Sequence, residues 1–187
     1  MAAVPEGYGS LMSCLAVTDA TRAVDFYKRA FGVRERRRIT LLTGEIVWAE
    51  LEWEGSPFCV CDDLSARFAA AAVCPMQAIR QTHSALLVYS DRIEELWSRA
   101  LLAGAQVLAP MEPQPWGEVR GLLLDPFGNQ WCLARRLERL TRPECERRLS
   151  EALRTNVRSP VEDTEDPSAH GAEHVRQKQH PARARRQ

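Results

Sequence analysis

The sequence predicts an α+β fold in which a β-α-β-β-β unit occurs twice, and three observations support this prediction. Residues 122–134 read as two apolar strands joined by a tight turn. Residues 54–60 show similar turn punctuation earlier in the chain. Two amphipathic helices of equal predicted length each precede one of these stretches. A unit that occurs twice cannot cover its own sheet alone, so the two copies are expected to share a core.

The turn within residues 122–134 is Asp125-Pro126-Phe127-Gly128. Proline suits the second position of a turn, and glycine supplies the positive φ that such a turn tends to need. The stretch is therefore predicted to be a β-hairpin with largely buried strands. Aligning Gly55 on Gly128 places Phe58 on Trp131, Cys59 on Cys132 and Val60 on Leu133.

The first unit begins with an apolar strand over residues 11–17. Asp19 or Thr18 can cap the following helix, because their side-chain oxygens accept hydrogen bonds from N–H groups of the first turn. Gly32 is expected to end this helix. Its apolar face has helical spacing and consists of Ala23, Phe26, Tyr27, Ala30 and Phe31. Strands are then expected over residues 33–39, 46–52 and 57–61.

The second unit repeats this order, and Asp91 to Gly104 is as long as Asp19 to Gly32. Asp91 is predicted to be the N-cap, with Glu94 completing a capping box. The apolar face of this helix consists of Ile93, Leu96, Trp97, Ala100 and Leu101. Strands are expected over residues 83–89, 106–109, 119–124 and 130–134, with a loop over 110–117.

The other segments differ in composition. A short alanine-rich helix is expected over residues 64–73, and a polar helix over residues 143–155. From residue 156 onward Leu, Ile, Phe, Tyr and Trp are absent, so this segment cannot offset its ordering entropy and is predicted to be disordered. The predicted organisation is an N-terminal extension (1–8), a domain of two modules (9–61 and 82–137) with a connector (62–81), a short helix (138–155) and a disordered tail (156–187).

The overall composition excludes several classes of function. Lys+Arg and Asp+Glu both total 25, so net charge favours neither a nucleic acid nor a membrane partner. The start of the chain lacks the basic and apolar regions of a secretion signal, and no apolar run approaches the ~20 residues that span a bilayer. A cytoplasmic protein is expected. Its six cysteines are then expected to be reduced, and their spacing does not match a structural zinc site.

The residues from Asp19 to Gly32 have the pattern Asp-x-x-x-Ala-x-x-Phe-Tyr-x-x-Ala-Phe-Gly. This pattern resembles the first module of the vicinal oxygen chelate superfamily, which includes glyoxalase I, bleomycin-resistance proteins and extradiol dioxygenases. Residues 96–105, Trp116-Gly117 and the turn at 125–128 are similar to its second module, and the combination is most similar to the PhnB-like branch. The resemblance implies paired modules that form an incomplete barrel around a cleft, often completed in a homodimer.

Metal-using members of that superfamily carry His, Gln or Glu at four positions around the cleft. The residues at these positions here are Met12, Cys59, Ser84 and Cys132. Because thioether and hydroxyl groups are poor ligands for an open divalent site, we expect the four residues to line the cleft without a metal or other cofactor. A soft thiolate site, or a reactive pair of Cys59 and Cys132, is the alternative. His83 is out of phase by one residue and reaches the site only through a bulge.

The aromatic and charged residues expected near the cleft are Trp48, Trp53, Trp116, Trp131, Glu50 and Arg120. Trp48 and Trp116 either stack on a flat ligand or belong to the core. Glu50 and Arg120 either orient a polar ligand or form a cross-strand pair. The predicted ligand-binding set is Met12, Trp48, Glu50, Cys59, Ser84, Trp116, Arg120 and Cys132.

Three functional hypotheses follow from the sequence. The first is a metal-independent, dimeric small-molecule binding protein that sequesters a toxic or antibiotic-like aromatic compound. The second is an enzyme, a glyoxalase-like lyase or isomerase or a dioxygenase, with a non-standard metal or thiol site. The third is an interaction module in which residues 138–187 recruit a partner. No phosphate loop, nucleotide fingerprint or nucleophile–base pair favours another class.

Overall fold

The computed structural model describes residues 8–9, 11–62 and 84–156. The strands are β1 (Ser13–Val17), β2 (Arg34–Thr40), β3 (Ile46–Trp53), β4 (Ser56–Asp62), β5 (Ala85–Tyr89), β6 (Gln106–Gln114), β7 (Glu118–Leu124) and β8 (Gln130–Arg136). The helices are α1 (Ala20–Phe31), α2 (Ile93–Ala103) and α3 (Arg142–Asn156). The predicted helix over residues 64–73, His83 and almost all of the predicted tail lie outside the described residues.

The strands form two open four-stranded sheets with the same topology. The first has the order β1-β4-β3-β2 and the second the order β5-β8-β7-β6. In each sheet the first and last strands of the module run parallel, and the other neighbours are antiparallel. This arrangement confirms the predicted α+β fold of two β-α-β-β-β modules.

Helix α1 forms as the sequence predicts. The carboxylate of Asp19 accepts a hydrogen bond from the Arg22 N–H at 2.9 Å and caps the first turn. Gly32 ends the helix with a φ of 68°, a conformation that costs glycine little. The predicted apolar face is buried, together with Ala20 and Val24.

Helix α2 corrects the predicted capping box. Its N-cap residue is Arg92, which makes no side-chain capping bond, so Asp91 lies one residue too early to cap the helix. The carboxylate of Glu94 instead pairs with Arg135 of β8 at 2.6 Å. A strong cross-element ion pair thus replaces the local interaction that the motif suggested.

Strand β6 is longer than predicted, because it continues to Gln114 through the segment expected to be a loop. Pro110 and Pro113 do not prevent this, since β6 is an edge strand and its outer N–H groups have no neighbouring strand to bond. The register of β6 on β7 shifts at two places, which accommodates the irregular segment.

The core lies between the helices and the two sheets, and aromatic rings join the modules. Phe31 of α1 stacks on Trp131 of β8 with ring centroids 4.3 Å apart. Buried Asp125 accepts hydrogen bonds from the Tyr27 hydroxyl at 2.7 Å and from Trp131 Nε1 at 3.0 Å. Trp131 is therefore a core residue, and the turn at 125–128 anchors the second module to the first.

The third helix, α3, lies where a polar helix was expected after the second module. Leu149 and Leu153 on this helix are largely exposed. Among the described residues, no helix is both long and apolar enough to cross a bilayer.

Candidate functional site

Each sheet has one face covered by a helix and one open face on the opposite side. In β3, Ala49 and Leu51 point into the core beside α1, so Glu50 between them points to the open face. Glu50 pairs in register with Cys59 of β4, which in turn pairs with Cys14 of β1. We call this side of the first sheet the first open face, and the corresponding side of the second sheet the second open face.

A buried carboxylate marks the first open face. Glu50 is 0% exposed and accepts hydrogen bonds at Oε2 from the Tyr8 hydroxyl and from Arg37 Nε, at 2.5 and 2.8 Å. Its Oε1 lies 3.0 Å from Arg36 Nη1 as an ion pair and accepts no hydrogen bond from the described residues. Burial raises the pKa of Glu50, but the hydrogen bonds from Tyr8 and Arg37 and the arginine charges outweigh burial and lower the pKa.

The two neighbouring arginines reach the same carboxylate because β2 contains a bulge. The register on β3 shifts between Glu35 and Arg37, so Arg36 does not alternate to the other face. The Arg36 guanidinium lies 4.9 Å from the centre of the Tyr8 ring, and that of Arg37 lies 5.1 Å from the centre of the Trp48 ring. The chain's own Tyr8 and arginines therefore cover Glu50 and Trp48.

A second buried carboxylate lies on the second sheet. Glu118 accepts hydrogen bonds from the Tyr89 hydroxyl at 2.8 Å, Trp116 Nε1 at 3.0 Å and Arg120 Nε at 2.7 Å. Burial raises the pKa of Glu118, but the hydrogen bonds from Tyr89, Arg120 and Trp116 outweigh it, so the pKa is lowered. The Arg120 guanidinium lies 5.3 Å from the centre of the Trp116 ring.

The two clusters correct the predicted relation between Glu50 and Arg120. Arg120 pairs with Glu118, whereas Glu50 pairs with Arg36 and Arg37, so the two predicted residues belong to different sheets and different clusters. Sequence reasoning missed Glu118, because a carboxylate at the start of a strand carries no signal of burial.

The four positions that correspond to metal ligands in relatives are divided between the sheets. Cys59 is buried on the first sheet, and Cys132 is half-buried on the second. Met12 is half-buried before β1, and Ser84 is exposed before β5. Within the described residues, no group of three or more His, Cys, Asp or Glu side chains is arranged to hold a metal ion.

The strand registers show that one of these four positions lies one residue later than the sequence alignment placed it. Leu87 pairs with Cys132 as Cys14 pairs with Cys59, so the counterpart of Met12 in the second module is Ala85. The predicted position, Ser84, was found by counting from Asp91, and α2 begins one residue later than that count assumed. Alanine has no ligand atom, which makes the donor set still poorer in nitrogen and oxygen.

The first open face also holds three thiols. Cys14 Sγ lies 3.5 Å from Cys61 Sγ, and Cys59 Sγ donates to the Ser13 carbonyl at 3.6 Å. Its interactions with Cys59 and Cys61 lower the pKa of Cys14. The pKa of Cys59 is raised, first by its interaction with Cys14, and burial raises the pKa of Cys132. Cys14, which sequence reasoning missed, is the exposed member of the three thiols on this face.

A cavity of about 360 Å³ lies between the end of the β3–β4 hairpin of the first module and β5 of the second. This volume is within the range of small-molecule pockets. Residues from both modules line the cavity, among them Ser13, Trp53, Phe58, Leu87, Tyr89 and Trp131. Tyr89 also donates to Glu118, so the cavity adjoins the Glu118 cluster with Trp116 and Arg120.

Residues 9–133 match the family model of the Glyoxalase/Bleomycin resistance protein/Dioxygenase superfamily. The chain belongs to this superfamily. An uncharacterized protein of Mycobacterium bovis is 30% identical over 136 residues, which cover 73% of this chain and 89% of that protein.

Two solved structures also resemble the chain. TioX from Micromonospora sp. ML1 is 30% identical, with a TM-score of 0.53 over 69% of this chain and 100% of that one. A gene product of Arabidopsis thaliana is 28% identical, with a TM-score of 0.53 over 68% of this chain and 98% of that one. The family match over residues 9–133 ends before α3.

Proposed function

We propose that this superfamily member binds a small, flat aromatic molecule without a metal ion and sequesters it. The observation that carries the proposal is the cavity between the β3–β4 hairpin and β5, which has aromatic walls and adjoins one cluster of polar groups. A pocket of this composition stabilises an apolar ring by burial and fixes its orientation through a few hydrogen bonds. Sequestration of an antibiotic-like or toxic compound is the use we infer for such binding.

The two polar clusters have different roles in this proposal. Glu50 is fully covered by Tyr8, Arg36 and Arg37, so it holds the Tyr8 side chain against the first sheet. Tyr89 lines the cavity, and Arg120 donates to its hydroxyl at 3.3 Å. We infer that Arg120 and Trp116, whose side chains are partly exposed, orient the ligand next to Tyr89. Of the predicted binding residues, Trp116 and Arg120 are thus the ones we retain for ligand contact.

The chemistry of the donor set supports metal independence. Thioether, thiol and methyl groups occupy the positions that hold imidazole or carboxylate in metal-using relatives. Such a set does not favour an ion that must keep open positions for substrate oxygens. The PhnB-like assignment stays a prediction alongside this proposal.

The proposal predicts that 2-naphthol binds to the cavity and that narrowing the cavity abolishes the binding. Leu87→Trp places a bulky side chain in the cavity wall and is expected to weaken affinity at least about tenfold, roughly 1.4 kcal/mol. Isothermal titration calorimetry measures this effect. Leu102→Trp is the matched control, because Leu102 is 89% exposed on α2, and it is expected to bind as the wild type does.

Two outcomes of this titration contradict the proposal. If the wild type and Leu87→Trp bind 2-naphthol with equal affinity, the ligand binds elsewhere. If dialysis against a chelator abolishes binding and a divalent ion restores it, binding depends on a metal. Binding to wild type that a chelator leaves unchanged supports both parts.

We further propose that the protein is a homodimer. Large apolar side chains remain exposed on edge strand β6 of the second sheet, where Val107 and Leu108 are 49% and 47% exposed. A second copy that covers these residues removes apolar surface from water and protects an open edge.

The dimer proposal predicts twice the chain mass in light scattering coupled to size exclusion. Leu108→Glu is expected to shift the protein toward the monomer, because the variant places a charge in the proposed interface. Leu102→Glu, on the exposed side of α2, is expected to leave the mass unchanged. A wild-type protein that elutes with the mass of one chain at every accessible concentration contradicts the dimer.

A further inference from the structure

We propose that Cys14 is oxidised by hydroperoxides and that Cys61 resolves the oxidised residue into an intramolecular disulfide. The two cysteines lie on neighbouring parallel strands, β1 and β4, and both side chains lie on the first open face. Their sulfur atoms are 3.5 Å apart. A disulfide requires about 2.05 Å between sulfurs. The register partner of Cys61 is Ala16, two residues along β1 from Cys14, so the bond forms by side-chain rotation together with a small backbone adjustment.

Exposure determines which of the two cysteines reacts first. Cys14 is exposed, whereas Cys61 and Cys59 are only 5% and 4% exposed. A hydroperoxide therefore reaches Cys14 before it reaches the others. Cys14 lies on an edge strand, β1, and its side chain is on the first open face with those of Cys59 and Cys61.

Cys14 also has neighbouring thiols on its own face of the sheet. Cys59 is its register partner, and Cys61 Sγ lies within hydrogen-bond distance of its sulfur. Redox-responsive cysteines combine solvent access with an adjacent resolving thiol. Cys132 and Cys145 lie on β8 and α3, on other elements than these three thiols.

The reaction proceeds in two balanced steps. The Cys14 thiolate attacks the outer oxygen of the hydroperoxide; an S–O bond forms, the O–O bond breaks, and the leaving alkoxide or hydroxide takes a proton. Cys61 then loses its proton to solvent and attacks the Cys14 sulfur; an S–S bond forms, the S–O bond breaks, and hydroxide leaves and is protonated to water. In sum, the two thiols lose two electrons and two protons. An organic hydroperoxide becomes an alcohol and water, and hydrogen peroxide becomes two waters.

The experiment treats the reduced full-length protein with hydrogen peroxide and maps its peptides by mass spectrometry without reductant. The wild type is expected to yield a peptide that links Cys14 to Cys61. Cys61→Ser is expected to accumulate a sulfenic acid at Cys14 that dimedone traps, and Cys14→Ser is expected to lose both products. Cys145→Ser is the matched control and is expected to behave as the wild type does.

Several results overturn the proposal. One is a wild-type map in which Cys14 is linked to Cys59, Cys74 or another cysteine instead of Cys61. Another is dimedone labelling of Cys145 that is as fast as that of Cys14, since a selective site is expected to react at least about tenfold faster. Complete resistance of the wild type to peroxide also refutes the proposal, and this result does not depend on whether any variant folds.

Discussion

Replacing Asp125 with alanine is expected to lower the free energy of unfolding by about 2–5 kcal/mol. The side chain of Asp125 accepts hydrogen bonds from the Tyr27 hydroxyl and from Trp131 Nε1, and both donors are buried. Each buried donor left without an acceptor costs about 1–3 kcal/mol. The variant also removes the acceptor for the Phe127 and Asn129 N–H groups, which lie 2.9 and 2.8 Å from Asp125 Oδ1 and order the turn.

Chemical denaturation followed by tryptophan fluorescence measures this effect, because Trp131 lies inside the network. Asp91→Ala is the matched control: Asp91 is exposed and does not cap α2, so a change within about 0.5 kcal/mol is expected. Asp125→Asn keeps the shape and one acceptor oxygen and is expected to fall between wild type and alanine. An Asp125→Ala midpoint equal to that of wild type contradicts the anchoring role of the turn.

Replacing Gly121 with alanine is expected to cost about 1–3 kcal/mol, since a methyl group has no room at this position. A Cβ atom on Gly121 of β7 would lie 2.5 Å from Trp97 Cζ3, 2.8 Å from Trp97 Cη2 and 3.1 Å from the Cα of Met111. The indole ring of Trp97 packs against the core at this point, so it cannot move away without opening a void.

The test for this steric mechanism is a double-mutant cycle with Trp97→Phe. A phenyl ring lacks the outer atoms of the indole that the new methyl group meets, so Gly121→Ala is expected to cost less in the Trp97→Phe background than in the wild type. Denaturant midpoints of the four proteins measure the coupling. If the free-energy costs of the two substitutions are strictly additive, the proposed clash is contradicted. A Gly121→Ala variant that is as stable as the wild type also contradicts it.

Local signals in the sequence were sufficient for most of the fold. Asp19 and Gly32 bound α1 because a side-chain acceptor and a residue with free φ act within one turn of chain. The turn at 125–128 forms for the same reason, and the alternation of β3 places Glu50 opposite the core as the two-residue period requires. Asp91 does not cap α2, because the helix begins one residue later than predicted and its N-cap residue is Arg92.

What the sequence by itself determined is therefore the pair of modules with their helices and hairpins. The tertiary structure alone decided which side chains meet: Tyr8 and Arg36 on Glu50, Tyr89 on Glu118, and Cys14 beside Cys61. Backbone caps and turns depend on residues a few positions apart, which a sequence displays directly. Contacts across strands depend on register and on bulges such as the one at Arg36, and a shift of one residue sends a side chain to the other face.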